Sequence, residues 1–279
     1  MAQDGGFPQA GCEKPCCVRA WQERKAGSLV SSLAIVDPAG SRSWLIDATP
    51  DFPEQLHRLQ RLGPVSKPVD LEGIFLTHAH TGHYTGLMHL GREAIGSFGV
   101  AVYAMPRMQE FLRTNGPWDQ LVRLENISLR PLAAGKAVRL GAGITITPLP
   151  VPHRDEYSET VGYRIRGPER TVLYIPDIDK WERWEVSLEE LIREVDVAFL
   201  DGTFYSGDEL PGRDLSEIPH PLIRETVMRL EDLPEADKSK VRFIHLNHTN
   251  PAWIPASEAR RFIEGNGFRV AAERERFPL

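Results

Sequence analysis

The chain has 279 residues, 41% hydrophobic and 26% charged, enough for a sizeable core in one large α/β domain or two small ones. A formal charge of −6, from 33 basic and 39 acidic residues, with no basic stripe, argues against a nucleic-acid partner. No apolar run approaches the roughly 20 residues of a membrane span, and "MAQDGGFPQAGC" lacks the basic start and apolar centre of a signal peptide. The expectation is a cytoplasmic protein with a small-molecule substrate and no nucleic-acid or membrane partner; a homodimer is compatible with it.

Residues 1–27 read as a loop carrying all three cysteines, Cys12, Cys16 and Cys17. An odd, tight cluster is a poor disulfide framework, and adjacent cysteines cannot pair without strain. These are either tolerated or reactive thiols, or a metal site if a fourth ligand exists. Strands then follow at "SLVSSLAIVD", "SRSWLIDAT", "LEGIFLT" and "GVAVYA", with helical periodicity over 53–62, 84–95 and 106–115. Further strands are "GITITPLPVPH", "TVGYRIR", "RTVLYIPD", "VDVAFLDGT", "VRFIHLNH" and "FRVAAE", with helices over 188–195, 221–230 and 255–265. His57 and His89 fall on helices as solvated or packing groups, and Trp181 with Trp184 reads as core. Residues 204–220, "FYSGDELPGRDLSEIPH", carry Gly, Pro and acids without periodicity and read as a surface loop, a candidate lid. No repeat or linker divides the chain, so a single domain over 1–279 is expected.

The chemistry-bearing residues share a position. His78, His80 and His83 follow one apolar strand, His153 another, Asp177 follows "TVLYIP", Asp201 ends "VDVAFL" and His245 ends "VRFIH". In layered α/β folds ligands bind at that strand edge. His78 and His80, two apart on a turn, can face one ion that His153 completes. His83 can join His245 on a second ion, with Asp177 bridging. Two such metals bring the pKa of a shared water toward neutrality and stabilise an oxyanion. His220 is either a general acid swung over the metals or a surface histidine.

"THAHTGHYTGL" resembles the T-H-x-H-x-D-H signature of the metallo-β-lactamase superfamily. The resemblance implies an α/β fold, the four-layer αββα sandwich of metal-dependent hydrolases, and spans most of the chain. "WLIDAT" is similar to the superfamily's first motif, where Asp47 would be a carboxylate behind the ligands. Within the superfamily, "DGGFPQAGCEKPCC", "LDGTFY", "IPHPLI" and "FIHLNHTNP" resemble the pyrroloquinoline quinone biosynthesis protein B group, so the chain looks PqqB-like. Members of that group begin with a strand ahead of the glycine-rich turn; its absence here suggests a truncated or atypical start. The departure from the signature is Gly82, where the superfamily has an aspartate that ligates the second metal and holds the attacking water. Either another carboxylate substitutes, Asp201 being the candidate, or one ion is held tightly; the alternative for Asp201 is a cap on the turn "DGT". The resemblance to phosphodiesterases of the carbon–phosphorus lyase pathway implies a structural zinc on Cys12, Cys16, Cys17 and His248. The usual C-x-C-x-x-C spacing is broken here, since Lys14 takes the middle place.

Two functions follow. The first is a hydrolase that uses metal-bound hydroxide on a small ester, lactone or cyclic phosphodiester, with one or two Zn2+ in the active site and one structural. Asp177, Asp201 and His220 are its candidate catalytic groups. The second is a PqqB-type metal-dependent oxidoreductase or oxygenase in quinone-cofactor synthesis, since histidine and carboxylate ligands suit Fe or Mn as well.

Overall fold

The structure is a computed structural model that describes all residues except 24–26 and 63–69, so the expected 1–27 loop lies in part outside the described residues. The chain forms two compact units, one of Val30–Lys136 with Asp155–Glu159, the other of Met1–Leu29, Ala137–Arg154 and Thr160–Leu279. Helices in chain order are α1 (Pro15–Gln22), α2 (Phe52–Gln60), α3 (Thr81–Tyr84), α4 (Pro106–Thr114) and α5 (Trp118–Arg123). They continue with α6 (Leu188–Arg193), α7 (Ile223–Arg229), α8 (Glu235–Lys238) and α9 (Glu258–Gly265).

The Val30–Lys136 unit has a five-stranded sheet in sequential order: β1 (Leu33–Asp37), β2 (Arg42–Ile46), β3 (Asp70–Phe75), β4 (Val100–Ala104) and β5 (Ile127–Pro131). Strands β1 and β2 are antiparallel, and the remaining pairs are parallel, with Ile74 opposite Val102 and Val102 opposite Leu129. Parallel strands covered by helices read as continuous apolar runs. Phe52, Leu59, Leu87, Met108, Leu112 and Leu121 pack on Ile74 and Val102 accordingly. The helix expected over 84–95 is instead α3 followed by a 3-10 helix, Thr85–Leu90. Gly86 explains the change. Its amide donates to the Ala48 carbonyl at 2.9 Å, and any side chain there would collide with the Thr49 carbonyl and Phe52.

The other unit has a seven-stranded sheet, in which β6 (Val138–Gly141), β7 (Ile144–Pro150), β8 (Val161–Arg166) and β9 (Thr171–Ile175) are antiparallel. Strands β10 (Val197–Asp201), β11 (Val241–Ile244) and β12 (Arg269–Val270) extend it in parallel from β9. Its core holds Trp181, whose indole donates to Thr226 Oγ1 at 2.8 Å, so the expectation of a core residue there agrees with the structure. Beyond β11 the first residues pair in parallel with the strand's continuation: Leu246 N donates to Met1 O, and Gln3 N to Leu246 O, each at 3.0 Å. Residues 15–22, expected within a loop, form α1, which Pro15 opens at a position where a missing N–H costs nothing. Residues 204–220 carry only two 3-10 turns, Gly207–Glu209 and Leu215–Glu217.

Candidate metal-binding sites

In the Val30–Lys136 unit the chain leaves β2 through Asp47, a buried residue at φ 67, a left-handed conformation that is costly for a non-glycine residue. The Asp47 carboxylate accepts from Thr77 N at 2.8 Å, from Thr77 Oγ1 at 3.0 Å and from His83 Nδ1 at 2.8 Å. Because the Thr77 hydroxyl proton is spent on Asp47, Thr77 Oγ1 accepts from His78 Nδ1 at 3.0 Å. With Nδ1 of each ring turned to Asp47 or Thr77, Nε2 of His78 and His83 carries the lone pair, the tautomer a metal requires. His78 Nε2 lies 2.9 Å from His80 Nδ1, and Glu156 sits 3.4 Å from the other nitrogen of His80. The H-x-H turn is fixed from outside as well, since Ala79 N donates to Ser158 Oγ at 2.9 Å. Burial pushes the Asp47 carboxyl up; His83 and the Thr77 donors offset part of that.

In the other unit Asp201 ends β10 and has both oxygens engaged. Oδ1 accepts from Thr203 N at 2.9 Å and Thr203 Oγ1 at 2.7 Å, while Oδ2 accepts from Ile178 N at 3.2 Å and His220 Nδ1 at 2.8 Å. Asp201 therefore caps the D-G-T turn, and with four protein donors it is not placed as the substitute for the carboxylate missing at Gly82. Thr203 Oγ1, its proton given to Asp201, accepts from His245 Nδ1 at 3.0 Å and leaves His245 Nε2 as the lone pair. Two carboxylates face that nitrogen, Asp177 Oδ2 at 3.2 Å and Asp4 Oδ1 at 3.6 Å. His245 itself is held at φ 60. His153, Asp177 and His220 each offer a ligand atom within 4.8 Å of the others.

His220 is 5% exposed, so it is not the surface histidine that was the alternative to a general acid. Burial alone would lower its pKa. The touching Asp201 carboxylate, with Asp177 and Asp4 beyond it, outweighs burial and holds the imidazole above its ordinary value.

The third group gathers three thiols around one ring nitrogen. Cys12, Cys16 and Cys17 Sγ lie 3.6, 3.7 and 3.4 Å from His248 Nδ1, and the sulfurs of Cys16 and Cys17 are 4.0 Å apart. Tetrahedral Zn2+, with bonds of about 2.3 Å to sulfur and 2.0 Å to nitrogen, spaces its ligand atoms by about 3.5–3.8 Å. The donor set fits. Gln9 N and Lys14 N donate to the Cys17 and Cys12 sulfurs, as thiolates need. Without a cation burial pushes the Cys17 thiol up to about 12, with the neighbouring thiols adding to it and the Gln9 N–H opposing. His248 is lowered by burial and Lys14, which keeps the ring in its neutral, metal-binding form.

Comparison with known proteins places the chain in a family. Residues 42–246 match the β-lactamase superfamily domain. The chain belongs to that superfamily. It is 27% identical to coenzyme PQQ synthesis protein B of Methylobacterium nodulans over 96% of this chain and 94% of that one. Among solved structures, zinc-bound PqqB from Methylobacterium extorquens superposes with a TM-score of 0.79 at 24% identity, covering 97% of this chain and 95% of that one. A diphosphatase of the PhnP family gives 0.66 at 22% identity, covering 97% and 91%. These likenesses show the expected metallo-β-lactamase fold and a PqqB-like member of the superfamily.

Sequence reasoning singled out the histidines, Asp47, Asp177 and the cysteine cluster, but not Thr77, Thr203 and Asp4, which lie against them. The two threonines could have been found, since Thr77 directly precedes His78 in "LTHAH" and Thr203 lies two residues after Asp201 in "LDGT". Asp4 carried no local signal beyond its place in "QDGG". No described helix is long and apolar enough to cross a membrane.

Proposed function

We propose that the protein is a metal-dependent hydrolase acting on a small ester, lactone or cyclic phosphodiester. The observation that carries this reading is the pair of imidazole nitrogens, His78 Nε2 and His80 Nδ1, 2.9 Å apart, with His78 backed through Thr77 by Asp47. In this proposal His78, His80 and His83 would serve as metal ligands from one unit, and His153, Asp177 and His245 from the other. Zn2+ is the first expectation, with Fe or Mn as alternatives, and Cys12, Cys16, Cys17 and His248 would hold a structural Zn2+. Bound ions of this kind lower the pKa of a coordinated water toward 7 and polarise a carbonyl or phosphoryl oxygen. The chain's own contribution is to fix the ring tautomers through Asp47–Thr77 and Asp201–Thr203, and to hold a proton at His220 Nε2. Nδ1 of that ring is tied to Asp201, so the proton passes from Nε2 to the leaving oxygen as its bond breaks; reprotonation by solvent completes the cycle. A cytoplasmic location and a small-molecule substrate, with neither nucleic acid nor membrane as partner and with a homodimer allowed, belong to the same proposal.

Elemental analysis of purified native and cysteine-substituted protein, with turnover of model esters and phosphodiesters, tests it. Hydrolysis should be lost on chelation and return with Zn2+. Protein that keeps no ion outside the cysteine site and turns over neither substrate sinks the reading.

A second reading is favoured by Gly82 and by similarity to coenzyme PQQ synthesis protein B along 96% of the chain. It is a metal-dependent oxidoreductase or oxygenase of quinone-cofactor synthesis. Iron-loaded protein that is inert to the esters but consumes oxygen would establish it over the first.

A further inference from the structure

We infer that Asp4 is a metal ligand, paired with His245 and Asp177 beyond the end of β11, in a chain whose H-x-H-x-x-H stretch has no carboxylate at Gly82; the inference rests on the metal-dependent reading above. Position 82 has no side chain to coordinate with. Asp201, the carboxylate the sequence offered instead, has both oxygens committed to Thr203, Ile178 and His220.

Asp4 meets the requirements that Asp201 does not. Its Oδ1 lies 3.6 Å from His245 Nε2, and that nitrogen is the lone pair because Nδ1 is engaged by Thr203. Oxygen and nitrogen ligands 2.0–2.2 Å from a tetrahedral ion stand about 3.4 Å apart, so one ion can touch both atoms with a side-chain shift of a few tenths of an ångström. The backbone explains how a residue so far away in sequence comes to be there. Residues 1–3 pair with Leu246, the residue that follows His245, through two main-chain bonds of 3.0 Å. Gly6 then closes a turn at φ 71, its amide donating to Gln3 O at 2.7 Å, with Asp4 inside the turn. The carboxylate is thereby fixed by main-chain hydrogen bonds rather than carried on a loose tail, and its side chain is only 23% exposed.

Charge points the same way. Asp177 Oδ2 is 3.2 Å from the same His245 nitrogen, so two carboxylates bear on one imidazole. Burying two like charges together is unfavourable unless a cation neutralises them. One nitrogen and two carboxylate oxygens suit Zn2+, Mn2+ or Fe2+.

The test strips wild-type and Asp4→Asn protein with chelator. Zn2+ and Mn2+ are then titrated back by calorimetry, with bound metal counted after gel filtration. Asp4→Asn should weaken one class of ion at least tenfold while the ion of the cysteine set binds as before and the melting temperature of the stripped protein is unchanged. Asp4→Glu, which keeps the carboxylate, should recover part of the loss. Equal affinity and stoichiometry in wild type and Asp4→Asn overturn the role of Asp4 alone. So does a variant that loses stability when stripped yet binds metal normally, because Asp4 would then be structural. A wild type that takes up no ion beyond the cysteine set overturns both this inference and the metal-dependent reading.

Discussion

Asp47 and Asp201 organise two histidines each by the same wiring, built from different chain connections. In both, an aspartate takes the proton of a threonine hydroxyl and that hydroxyl accepts from one histidine Nδ1; the aspartate also binds a second histidine Nδ1 directly, at 2.8 Å. Asp47 and Thr77 come from the ends of neighbouring strands β2 and β3, whereas Asp201 and Thr203 lie two apart in one turn. The directly bound histidine is His83 on α3 in the first case and His220 from the 204–220 loop in the second. Charge is what differs in kind. Three carboxylates act on His220 and hold it above its ordinary value, while Asp47 is dominated by burial and is itself pushed up. On the proposed assignment the same wiring backs two ligands, His78 and His83, in one unit, and a ligand, His245, with a proton donor, His220, in the other; in both the network sets the tautomer.

The comparison breaks most easily at the directly bound histidines. His220→Gln should lower kcat by about 10²–10⁴-fold, the usual contribution of a general acid, with bound metal unchanged. His83→Gln should instead lose metal. If His220→Gln loses metal to the same degree, His220 is a ligand and the assignment of unlike roles fails. Asp47→Asn and Asp201→Asn come next. Removing a partner behind a ligating histidine weakens metal by about 10–100-fold, so both should show that loss, and Asp201→Asn should add the turnover defect of an unbacked His220. Equal kinetics at saturating metal in the two variants would contradict this.

Much of this wiring could be anticipated where it is local and hardly at all where it is not. His78, His80 and His83 announce themselves because a metal motif on one turn is a spacing pattern, and His153, Asp177 and His245 do so because each ends an apolar strand. The D-G-T cap at Asp201 is visible for the same reason. Asp4 is not, because its position depends on a parallel bridge between Ala2 and Leu246 that no periodicity encodes. The helix expected over 84–95 failed because tertiary contact overrode propensity, with Gly86 pressed against residues 48–52. Strands β5 and β6 escaped notice because "ISLRP" and "VRLG" are short, end in Pro and Gly, and lie at the edges of their sheets. The two-unit division was hidden too, since a short return of the chain at Asp155–Glu159 leaves no break in composition.

Smaller effects sharpen the comparison further. Thr77→Val and Thr203→Val each remove one hydroxyl relay while keeping side-chain shape. Each should cost about 1 kcal/mol, roughly fivefold in metal affinity, because a single buried hydrogen bond is lost on either side of the ring. The two should be equal to within a factor of two; a Thr203 effect confined to turnover would mean that His245 is held by something other than Asp201.

The smallest prediction concerns the loop that delivers His220. Glu209 accepts from Tyr205 N, Ser206 N and Thr249 Oγ1, and so pins the start of that loop to the segment after β11. Burial pushes its carboxyl up despite these donors. The folded protein therefore holds the Glu209 proton more tightly than the unfolded chain. In the window from the ordinary glutamate value up to the raised folded one, the folded state binds more protons, and stability falls as pH rises. The penalty is complete above the folded pKa and vanishes below the unfolded one. Glu209→Gln keeps an oxygen for the two amides and offers an N–H to Thr249, so its unfolding free energy should be flatter across that window and no lower than wild type at pH 7. Urea melts at pH 4, 5, 6 and 7 would show it. A variant that is destabilised at pH 7 but matches wild type at pH 4 would mean that Glu209 is bound as a carboxylate and that its charge, rather than its shape, anchors the loop.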